Sequence, residues 1–412
     1  MITARGRLAL AAGSIARRAS KATGRGAGAM IGGLIAMKLD PTVLGQLAAG
    51  RRSVIVTGTN GKSTTTRMLA AALGTLPGGV ASNTEGANMD AGLISALAVN
   101  KTAALAALEV DEMHVPHVAD AVDPAAIVLL NLSRDQLDRV GEINHIERTL
   151  RAGLARHPGA VVVANCDDVL VTSAAYDCPN VVWVAAGGSW ANDSVSCPRS
   201  GEVIVRDGAG WASTGTDFRR PDPAWWYDED FLHGPDGLRL PMRLALPGTV
   251  NRGNAAQAVA AAVALGVDPA AAVAAAGTVD EVAGRYRTVQ VGPHSVRMLL
   301  AKNPAGWHEA LSMVDTTGAA GVVIAVNGQV PDGEDLSWLW DVNFEHFVEP
   351  ARRLPVIAAG ERGTDLAVRL GYAGVEHRLT HDTLAAIAAC PPGHVELVAN
   401  YTAFLQLNRR LP

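Results

Sequence analysis

Short runs of apolar residues alternate with stretches of helical periodicity along the first half of the chain. Five such runs predict buried strands, at Ser53–Thr57, Ala104–Leu108, Ala126–Leu130, Ala160–Ala164 and Val181–Val184. A helical pattern, from Ser63 to Leu73, follows the first of them. Apolar runs of this length between helices are typical of parallel strands that are covered on both faces. The pattern therefore predicts an α/β fold with a doubly wound, mostly parallel sheet.

Between residues 190 and 239 the helical periodicity is lost, and Gly, Asp, Ser, Pro and Trp dominate the composition. This pattern predicts an irregular insertion with short hairpins. The α/β pattern returns at Leu246–Gly266. A second, smaller α/β domain is predicted from His294, with strands at Val296–Leu300, Gly321–Val326, Leu354–Ala358 and Val395–Val398. The expected divisions are a basic lead-in at 1–50, a central domain at 51–293 and a C-terminal domain at 294–412.

Composition and charge narrow the function classes. The 412 residues are 49% hydrophobic and 18% charged, with a net charge of -5, which argues against nucleic-acid binding through bulk positive charge. The basic residues near the start predict a segment that packs on the domain or approaches anionic material. No apolar stretch is long enough to span a bilayer. Four cysteines without CxxC spacing indicate reduced thiols in a cytoplasmic protein.

The strongest local motif is Gly58-Thr59-Asn60-Gly61-Lys62-Ser63-Thr64, between a predicted strand and a predicted helix. Such a turn presents backbone N–H groups to a phosphate, while Lys62 neutralises charge and the Ser63 hydroxyl can bind Mg²⁺. Val56 stands where the longer phosphate-loop pattern has Gly, so this is a shorter GxxGKS variant. The alternative is a glycine turn that merely begins a helix.

Three further segments follow predicted strands or precede helices. Glu109 ends a predicted strand, where a carboxylate could bind Mg²⁺ beside a nucleotide phosphate. The alternative is that the carboxylates after this strand belong to a solvated loop end. Asp111 and Glu112 fit that alternative better than Glu109 does. The segment 131–139 mixes amide, carboxylate and guanidinium groups, and either caps a helix or completes the nucleotide and metal site. Asn251 and Asn254 are candidate helix N-caps.

These residues together resemble the Mur ligases, a superfamily that includes the folylpolyglutamate synthases. The resemblance rests on GTNGKST, Glu109 and LPGTVNRGNAAQAVAA, and it covers most of Ser53–Arg287. It implies a Mur-ligase-like central domain that uses ATP and Mg²⁺ to convert a carboxylate into an acyl phosphate, which an amine then attacks. By position it implies phosphate and metal contacts for Asn60–Thr64, a metal ligand at Glu109, nucleotide contacts for Asn251, Asn254 and Arg285, and an active-site motif at Lys302 and Asn303.

Longer motifs at 83–89, 134–139, 299–310 and 332–345 resemble the MurT group, the ligase-like subunits of lipid II isoglutaminyl synthases. Gln136 stands where many Mur ligases have His, and the MurT group carries Gln there too. The resemblance implies a carbon–nitrogen ligase of peptidoglycan biosynthesis that amidates the α-carboxylate of D-glutamate in lipid II. It also implies a heterodimer with a GatD-type glutaminase that supplies ammonia, located in the cytoplasm or at the inner face of the membrane.

The resemblance further implies a region of the second domain that completes the glutaminase triad with an aspartate. Asp335 and Asp341 both lie in the matching motif, and Asp335 is favoured because its glycine-containing loop can project; each is otherwise a cap or surface carboxylate. Trp338 and Trp340 belong to the core or to a partner surface, and core is expected for one of them.

Relatives in the MurT group often carry a four-cysteine zinc ribbon within the irregular segment. Here only Cys197 is a cysteine, and Ser200, Ser213 and Thr216 stand at the other three places. A structural zinc site needs about four N or S ligands, so no zinc is expected. The insertion is instead expected to be held by packing, with Trp211, Trp225 and Trp226 as candidates.

Two other functions stay open. One is a stand-alone ligase that adds an amino acid, of the Mur or folylpolyglutamate type, and the other is a non-catalytic nucleotide-binding scaffold. The chain contains no convincing glutaminase of its own, because Cys390 has a nearby His in sequence but no positioned base. This implies a separate glutaminase partner.

Overall fold

The computed structural model describes residues 2–22, 29–83, 87–134, 142–188, 193–208, 210–280, 286–333, 335–348 and 354–411. The chain forms two compact units. The first comprises Met1–Leu132 and Gly141–Asp280, and the second comprises Ser133–Val140 and Glu281–Pro412.

The first unit is built on a six-stranded sheet in which every neighbouring pair is parallel. Its order is β2-β3-β1-β4-β5-β6. The strands are β1 (Arg52–Thr57), β2 (Val80–Ser82), β3 (Leu105–Glu109), β4 (Ala126–Leu129), β5 (Val161–Asn165) and β6 (Val181–Val184). The chain runs from β1 to one edge, returns through β3 and then continues on the other side through β4. The carboxyl ends of β1, β3 and β4 therefore meet where the winding reverses, which is where such sheets bind ligands.

Helices cover both faces of this sheet, as the doubly wound prediction requires. The helices of this unit are α1 (Ala4–Ala22), α2 (Ala29–Leu39), α3 (Val43–Ala48), α4 (Lys62–Leu73), α5 (Asp90–Val99), α6 (Val115–Val122), α7 (Glu142–Leu154), α8 (Val169–Ala175), α9 (Thr249–Ala264) and α10 (Pro269–Gly277). Helices α4, α9 and α10 pack together on one face. On the other face, apolar residues of α5, α6 and α7 form a core with Ile55, Leu108 and Ile127 of the strands.

The described residues among the first fifty contribute to the core of this unit. Ala9, Ala36, Val43 and Leu47 are buried in the same core as the central strands. The sequence left open whether this segment packs on the domain, and packing is what the structure shows.

The irregular insertion contains short antiparallel strands, as predicted. They are β7 (Ile204–Asp207) with β8 (Gly210–Ser213), and a three-stranded sheet of β9 (Trp226–Tyr227), β10 (Phe231–His233) and β11 (Arg239–Pro241). Trp211 and Trp225 are buried, and the Trp211 indole donates to the Cys166 carbonyl at 3.0 Å. Trp226 does not fit the packing prediction, because it is 43% exposed and stacks on His233.

The second unit has a mixed sheet with the order β12-β13-β17-β14-β15-β16. Only the β12–β13 pair is antiparallel. The strands are β12 (Tyr286–Val291), β13 (His294–Leu300), β14 (Gly321–Ala325), β15 (Val356–Ala359), β16 (His377–Leu379) and β17 (Gly393–Ala399), with helices α11 (Pro304–Ser312), α12 (Gly363–Tyr372), α13 (Thr383–Ala388) and α14 (Tyr401–Arg410). The division between units falls before residue 294, since β12 forms a hairpin with β13 and so belongs to the second sheet.

Candidate functional site

The turn between β1 and α4 has the shape that an anion-binding loop needs. The strand ends at Thr57 and α4 begins at Lys62, so the predicted strand–loop–helix context is confirmed. Gly58 and Gly61 have φ values of 139° and 85°. A Cβ atom at Gly58 would lie 2.9 Å from the Asn131 carbonyl oxygen, and one at Gly61 would lie 2.7 Å from Asn254 Oδ1. Both positions therefore require glycine for conformation and for space.

Asn131, which follows β4, clamps the turn. Its Oδ1 accepts the Asn60 N–H at 2.9 Å, and its Nδ2 donates to the Asn60 carbonyl at 3.0 Å. The Thr59 N–H donates to the Asn131 backbone carbonyl at 2.8 Å. The sequence left the 131–139 segment open between capping and completing the site; the structure shows that Asn131 holds the loop, and residues 135–139 lie outside the described residues. The position of Asn131 directly after a predicted strand was the available signal.

Asn251 and Asn254 are not N-caps of α9, because Gly248 precedes the helix and both asparagines lie within it. Asn251 Nδ2 donates to the Pro247 carbonyl at 2.6 Å, and Asn254 Nδ2 donates to Asn251 Oδ1 at 3.3 Å. Both side chains are buried. The pair thus places Asn254 beside Gly61, close to the loop.

Lys62 is only 7% exposed and folds back over the turn. Its Nζ donates to the Gly58 carbonyl at 2.6 Å and forms an ion pair with Glu112 at 3.2 Å. The expectation that Glu112 belongs to a solvated loop end was wrong, since Glu112 is buried and compensates the lysine charge. Asp111 does behave as a loop-end carboxylate, accepting the Met113 N–H at 3.2 Å.

Glu109 is the last residue of β3 and is 2% exposed. Asn83 holds its backbone on both sides: Asn83 Oδ1 accepts the Glu109 N–H at 2.8 Å, and Asn83 Nδ2 donates to the Glu109 carbonyl at 2.7 Å. Glu109 pairs in register with Val56, two residues before the loop begins. Ser63, in the first turn of α4, is also buried. A carboxylate and a hydroxyl are hard oxygen donors, which is the donor chemistry that Mg²⁺ prefers.

Several residues of the predicted site lie outside the described residues. They are Arg285, residues 84–86 of the motif at 83–89, residues 135–139 of the segments at 131–139 and 134–139 (Gln136 included), and residue 334 of the motif at 332–345. Their roles stay predictions. Lys302 is exposed, and Asn303 caps α11 by accepting the Gly306 N–H at 2.8 Å.

The aspartates predicted to serve a partner lie in the second unit. Asp335 is exposed, and its Oδ1 accepts the Ser337 N–H at 2.8 Å. This backbone hydrogen bond lowers the pKa of Asp335, so its carboxylate stays ionised. Asp341 is half-buried, and its carboxylate lies 3.9 Å from the Arg134 guanidinium in the same unit.

Of the two tryptophans near these aspartates, one is buried in the core and one is exposed, as predicted. Trp338 is buried and stacks on Trp307, with ring centroids 5.4 Å apart. Trp340 is 56% exposed and meets the ring of Tyr372, which is 78% exposed. Trp338 therefore belongs to the core, and Trp340 with Tyr372 forms an aromatic surface.

Cys390 has no activating environment among the described residues. Burial raises the pKa of its thiol, whose Sγ lies 3.6 Å from the Ala386 carbonyl. The neighbouring His394 pairs instead with Glu396 at 2.9 Å. A buried thiol of this kind is a poor nucleophile.

Asp90 gathers His114 and His117 at the start of α5, a cluster that the sequence analysis missed. The His117 Nε2 lies 2.9 Å from Asp90 Oδ1, and the His114 Nδ1 lies 3.4 Å from it. The two histidines are three residues apart, but Asp90 is more than twenty residues away in sequence. They meet because the segment after β3 lies beside the residues that precede α5, where the Asp111 N–H donates to the Asn88 carbonyl at 3.0 Å.

Comparison with known families agrees with this fold. The Mur ligase middle domain matches residues 56–262, just over half of the chain, and the MurT ligase C-terminal domain matches residues 300–404. The chain therefore belongs to the Mur ligase family.

Two curated relatives match this chain over nearly its full length. One is the lipid II isoglutaminyl synthase (glutamine-hydrolyzing) subunit MurT of Streptococcus pneumoniae, 27% identical over 94% of this chain and 93% of that protein. The subunit of the same name from Staphylococcus aureus strain N315 is 29% identical over 96% of both chains.

Solved structures show the same fold. A pseudomurein peptide ligase type C from Methanothermus fervidus has a TM-score of 0.69 at 18% identity, covering 89% of this chain and 79% of that one. MurF from Acinetobacter baumannii has a TM-score of 0.66 at 19% identity, covering 92% and 80%.

Asp168 forms hydrogen bonds both to the segment after β4, next to Asn131, and to the first turn of α8. Its carboxylate accepts the N–H groups of Leu132, Leu170 and Val171, each at 2.9 Å. Burial raises its pKa from 3.8 to about 6, although these hydrogen bonds oppose the shift. The folded state therefore binds more protons than the unfolded state between these two values. The resulting stabilisation is full below the unfolded pKa and is lost as the pH rises through the folded one.

We predict that Asp168→Asn removes this pH dependence. Asp168 should make the wild type about 1 kcal/mol more stable at a pH of about 5 than at about 7, and the variant should lack this gain. Urea unfolding at both pH values measures the difference. Asp268→Asn, at the exposed cap of α10, is the control. An unchanged pH dependence in Asp168→Asn would contradict the assignment.

Proposed function

We propose that this chain is the synthetase subunit of a lipid II isoglutaminyl synthase. The reaction is ATP-dependent amidation of the α-carboxylate of D-glutamate in the lipid II stem peptide, with ammonia from a GatD-type glutaminase. The glycine turn at Gly58 and Gly61, with Lys62 buried at the start of α4, carries the proposal. The near full-length likeness to MurT subunits supports this substrate over others. Because lipid II is lipid-linked, the chain would act in the cytoplasm at the inner face of the membrane.

The loop supplies the phosphate-binding part of the reaction. The N-terminus of a helix offers backbone N–H groups to an anion, and α4 begins at Lys62, which can exchange its contact with Glu112 for a phosphate oxygen. Ser63 and Glu109 would hold Mg²⁺, which neutralises phosphate charge when bound. Asn254 and Asn131 keep the turn open by occupying the space beside its glycines.

The chemistry then has two steps. A carboxylate oxygen of the substrate bonds to the γ-phosphorus of ATP, and ADP leaves. The nitrogen lone pair of ammonia attacks the acyl carbon, phosphate leaves, and the nitrogen loses a proton. Lys62 and the loop N–H groups stabilise the charge on the transferred phosphoryl group, which is the main catalytic contribution in such reactions.

We predict that Lys62→Met lowers amidation by at least about a hundredfold, because it removes the phosphate-facing charge but keeps the apolar stem. The assay is mass spectrometry of lipid II after incubation of the complex with ATP, Mg²⁺ and glutamine; amidation slightly lowers the mass and removes one negative charge. Arg219→Met, at an exposed position, is the matched control.

Two results would favour the alternatives. Full product formation by Lys62→Met would indicate a nucleotide-binding scaffold. Product formation by the wild type with a free amino acid, and no amidation, would indicate a stand-alone ligase.

The glutaminase contact is proposed at the loop that carries Asp335. An aspartate that orients a catalytic histidine must be ionised and accessible, and Asp335 is exposed with a lowered pKa. Asp341 is less accessible and faces Arg134. Trp340 and Tyr372 offer an aromatic anchor of the kind that is enriched in protein interfaces.

We predict that Asp335→Asn lowers glutamine hydrolysis by the complex by about a hundredfold or more, while amidation with added ammonium chloride continues. Asparagine keeps an oxygen to accept the Ser337 N–H, so the loop should fold normally. Asp341→Asn is the comparison variant. If Asp341→Asn alone abolishes glutamine hydrolysis, the role belongs to Asp341; if neither does, no triad residue comes from this loop.

The insertion is proposed to hold no zinc. Burial tends to raise the pKa of the Cys197 thiol, but hydrogen bonds, chiefly from the Ser200 side chain, lower it overall, so a hydroxyl lies beside the sulfur where a zinc ribbon would have a second thiol. A small apolar cluster of Val169, Cys197, Ile204, Trp211 and Phe218 holds this region instead.

We predict that a metal chelator leaves the melting temperature unchanged, whereas Trp211→Ala lowers it through the loss of packing and of one indole hydrogen bond. Metal content is measured by atomic absorption. The triple variant Ser200→Cys, Ser213→Cys and Thr216→Cys is the positive control and should bind about one zinc per chain. Stoichiometric zinc in the wild type would overturn this proposal.

A further inference from the structure

Positive charge is concentrated at the start of the chain. Seven of the 35 Lys and Arg residues lie within residues 1–39, and none of the 40 Asp and Glu residues does. The rest of the chain carries 28 basic against 40 acidic residues. Helices α1 and α2 of the first unit, which pack together as a hairpin, lie within this segment.

The outer face of α1 combines apolar and basic side chains. Ala4, Leu8, Ala11 and Ile15 are spaced four, three and four residues apart, and all are exposed. Residues at this spacing share one face of a helix. Leu8 and Ile15 are 70% and 68% exposed. The arginines beside this stripe are also exposed, at Arg5, Arg7 and Arg18.

The outer face of α2 repeats this arrangement. Ile31, Leu34 and Lys38 follow at spacings of three and four residues, and all three are exposed, with Leu34 at 48%. The opposite face, with Gly32, Gly33 and Ala36, is buried.

The hairpin cannot turn these side chains inward. A Cβ atom on Gly13 of α1 would lie 2.4 Å from the Gly32 carbonyl oxygen of α2, and one on Gly33 would lie 1.9 Å from the Ala91 carbonyl oxygen of α5. The helices therefore pack backbone against backbone, so the apolar outer residues stay at the surface.

A cavity of about 880 Å³ lies between α1, α2 and α5. Its walls include Leu10, Ile94 and Val99, and its basic residues are Arg7, Arg17 and Lys101. None of the described residues lining it is acidic. The described residues around this cavity therefore add no acidic group beside α1 that would repel an anionic bilayer.

We propose that the outer face of the α1–α2 hairpin docks on an anionic phospholipid bilayer. Helices that lie at a membrane surface combine an exposed apolar face with flanking Lys and Arg, and they bind through both. Among the described residues, no helix is long and apolar enough to cross a bilayer, so this contact would be peripheral. The role of this contact in catalysis rests on the proposed function, because a lipid-linked substrate stays at the membrane. The prediction that the hairpin binds a bilayer does not depend on that function.

The test is flotation of the full chain, in complex with its glutaminase, with vesicles of phosphatidylcholine alone or mixed with phosphatidylglycerol. No ATP, glutamine or lipid II is present, so the result does not depend on the proposed reaction. The wild type should float with the mixed vesicles, should remain unbound with phosphatidylcholine alone, and should be released by high salt.

Two variants separate charge from apolar contact. Arg7→Gln with Arg18→Gln should weaken binding by about thirtyfold, since each basic residue near an anionic surface contributes roughly a fivefold factor. Arg219→Gln with Arg378→Gln removes the same charge from exposed positions elsewhere and should have little effect. Leu8→Gln with Ile15→Gln and Leu34→Gln should also weaken binding, without any change in charge.

Three outcomes would overturn the proposal: no flotation of the wild type with mixed vesicles, equal loss in the matched control, or a change in oligomeric state in the hairpin variants that accounts for the loss. Amidation of detergent-solubilised lipid II, measured separately, should survive in the hairpin variants. Failure of that reaction in the wild type would refute the proposed function but leave the docking result standing.

Discussion

The first unit depends on one backbone turn, where the chain leaves β1 and enters α4. The turn must bring the start of α4 toward an anion while a neighbouring strand and helix approach closely, with its Thr59 and Asn60 N–H groups held by Asn131. Gly58 and Gly61 permit this because they have no side chain and adopt positive φ. Asn131 and Asn254 fill the spaces that two Cβ atoms would need. The loop is thus held by hydrogen bonds from the residue after β4 and approached closely by the start of α9.

The same turn explains the environment of Lys62. A buried ammonium group is costly unless it is paired, and here the Gly58 carbonyl and Glu112 satisfy it. A phosphate would bring stronger charge compensation to the same atom. The ion pair with Glu112 therefore allows the lysine to stay in place without a ligand, and binding becomes an exchange of partners rather than the burial of a new charge.

The sequence predicts the strands well where apolar runs are continuous. Strands β1, β3, β4, β5 and β6 agree with prediction to within one residue at each end. It does not predict β2, which has only three residues. It also misjudges Glu112, because burial depends on Lys62, fifty residues away. The phosphate-loop motif can therefore be recognised from adjacent residues in the sequence. The residues that hold it and its neighbours in place, Asn131, Asn83 and Glu112, cannot, because their contacts depend on which strands become neighbours in the sheet.

The distribution of charge extends this reasoning to the whole chain. The acidic excess beyond residue 39 would be repelled by an anionic surface, whereas the hairpin would be attracted. Screening limits both effects to about 10 Å at moderate ionic strength. At that range, only the residues nearest the surface contribute, so close approach favours the orientation in which Arg7 and Arg18 face the lipid. The exposed Leu8 and Ile15 lie on the same helix face, and apolar burial would then hold the orientation that charge selects.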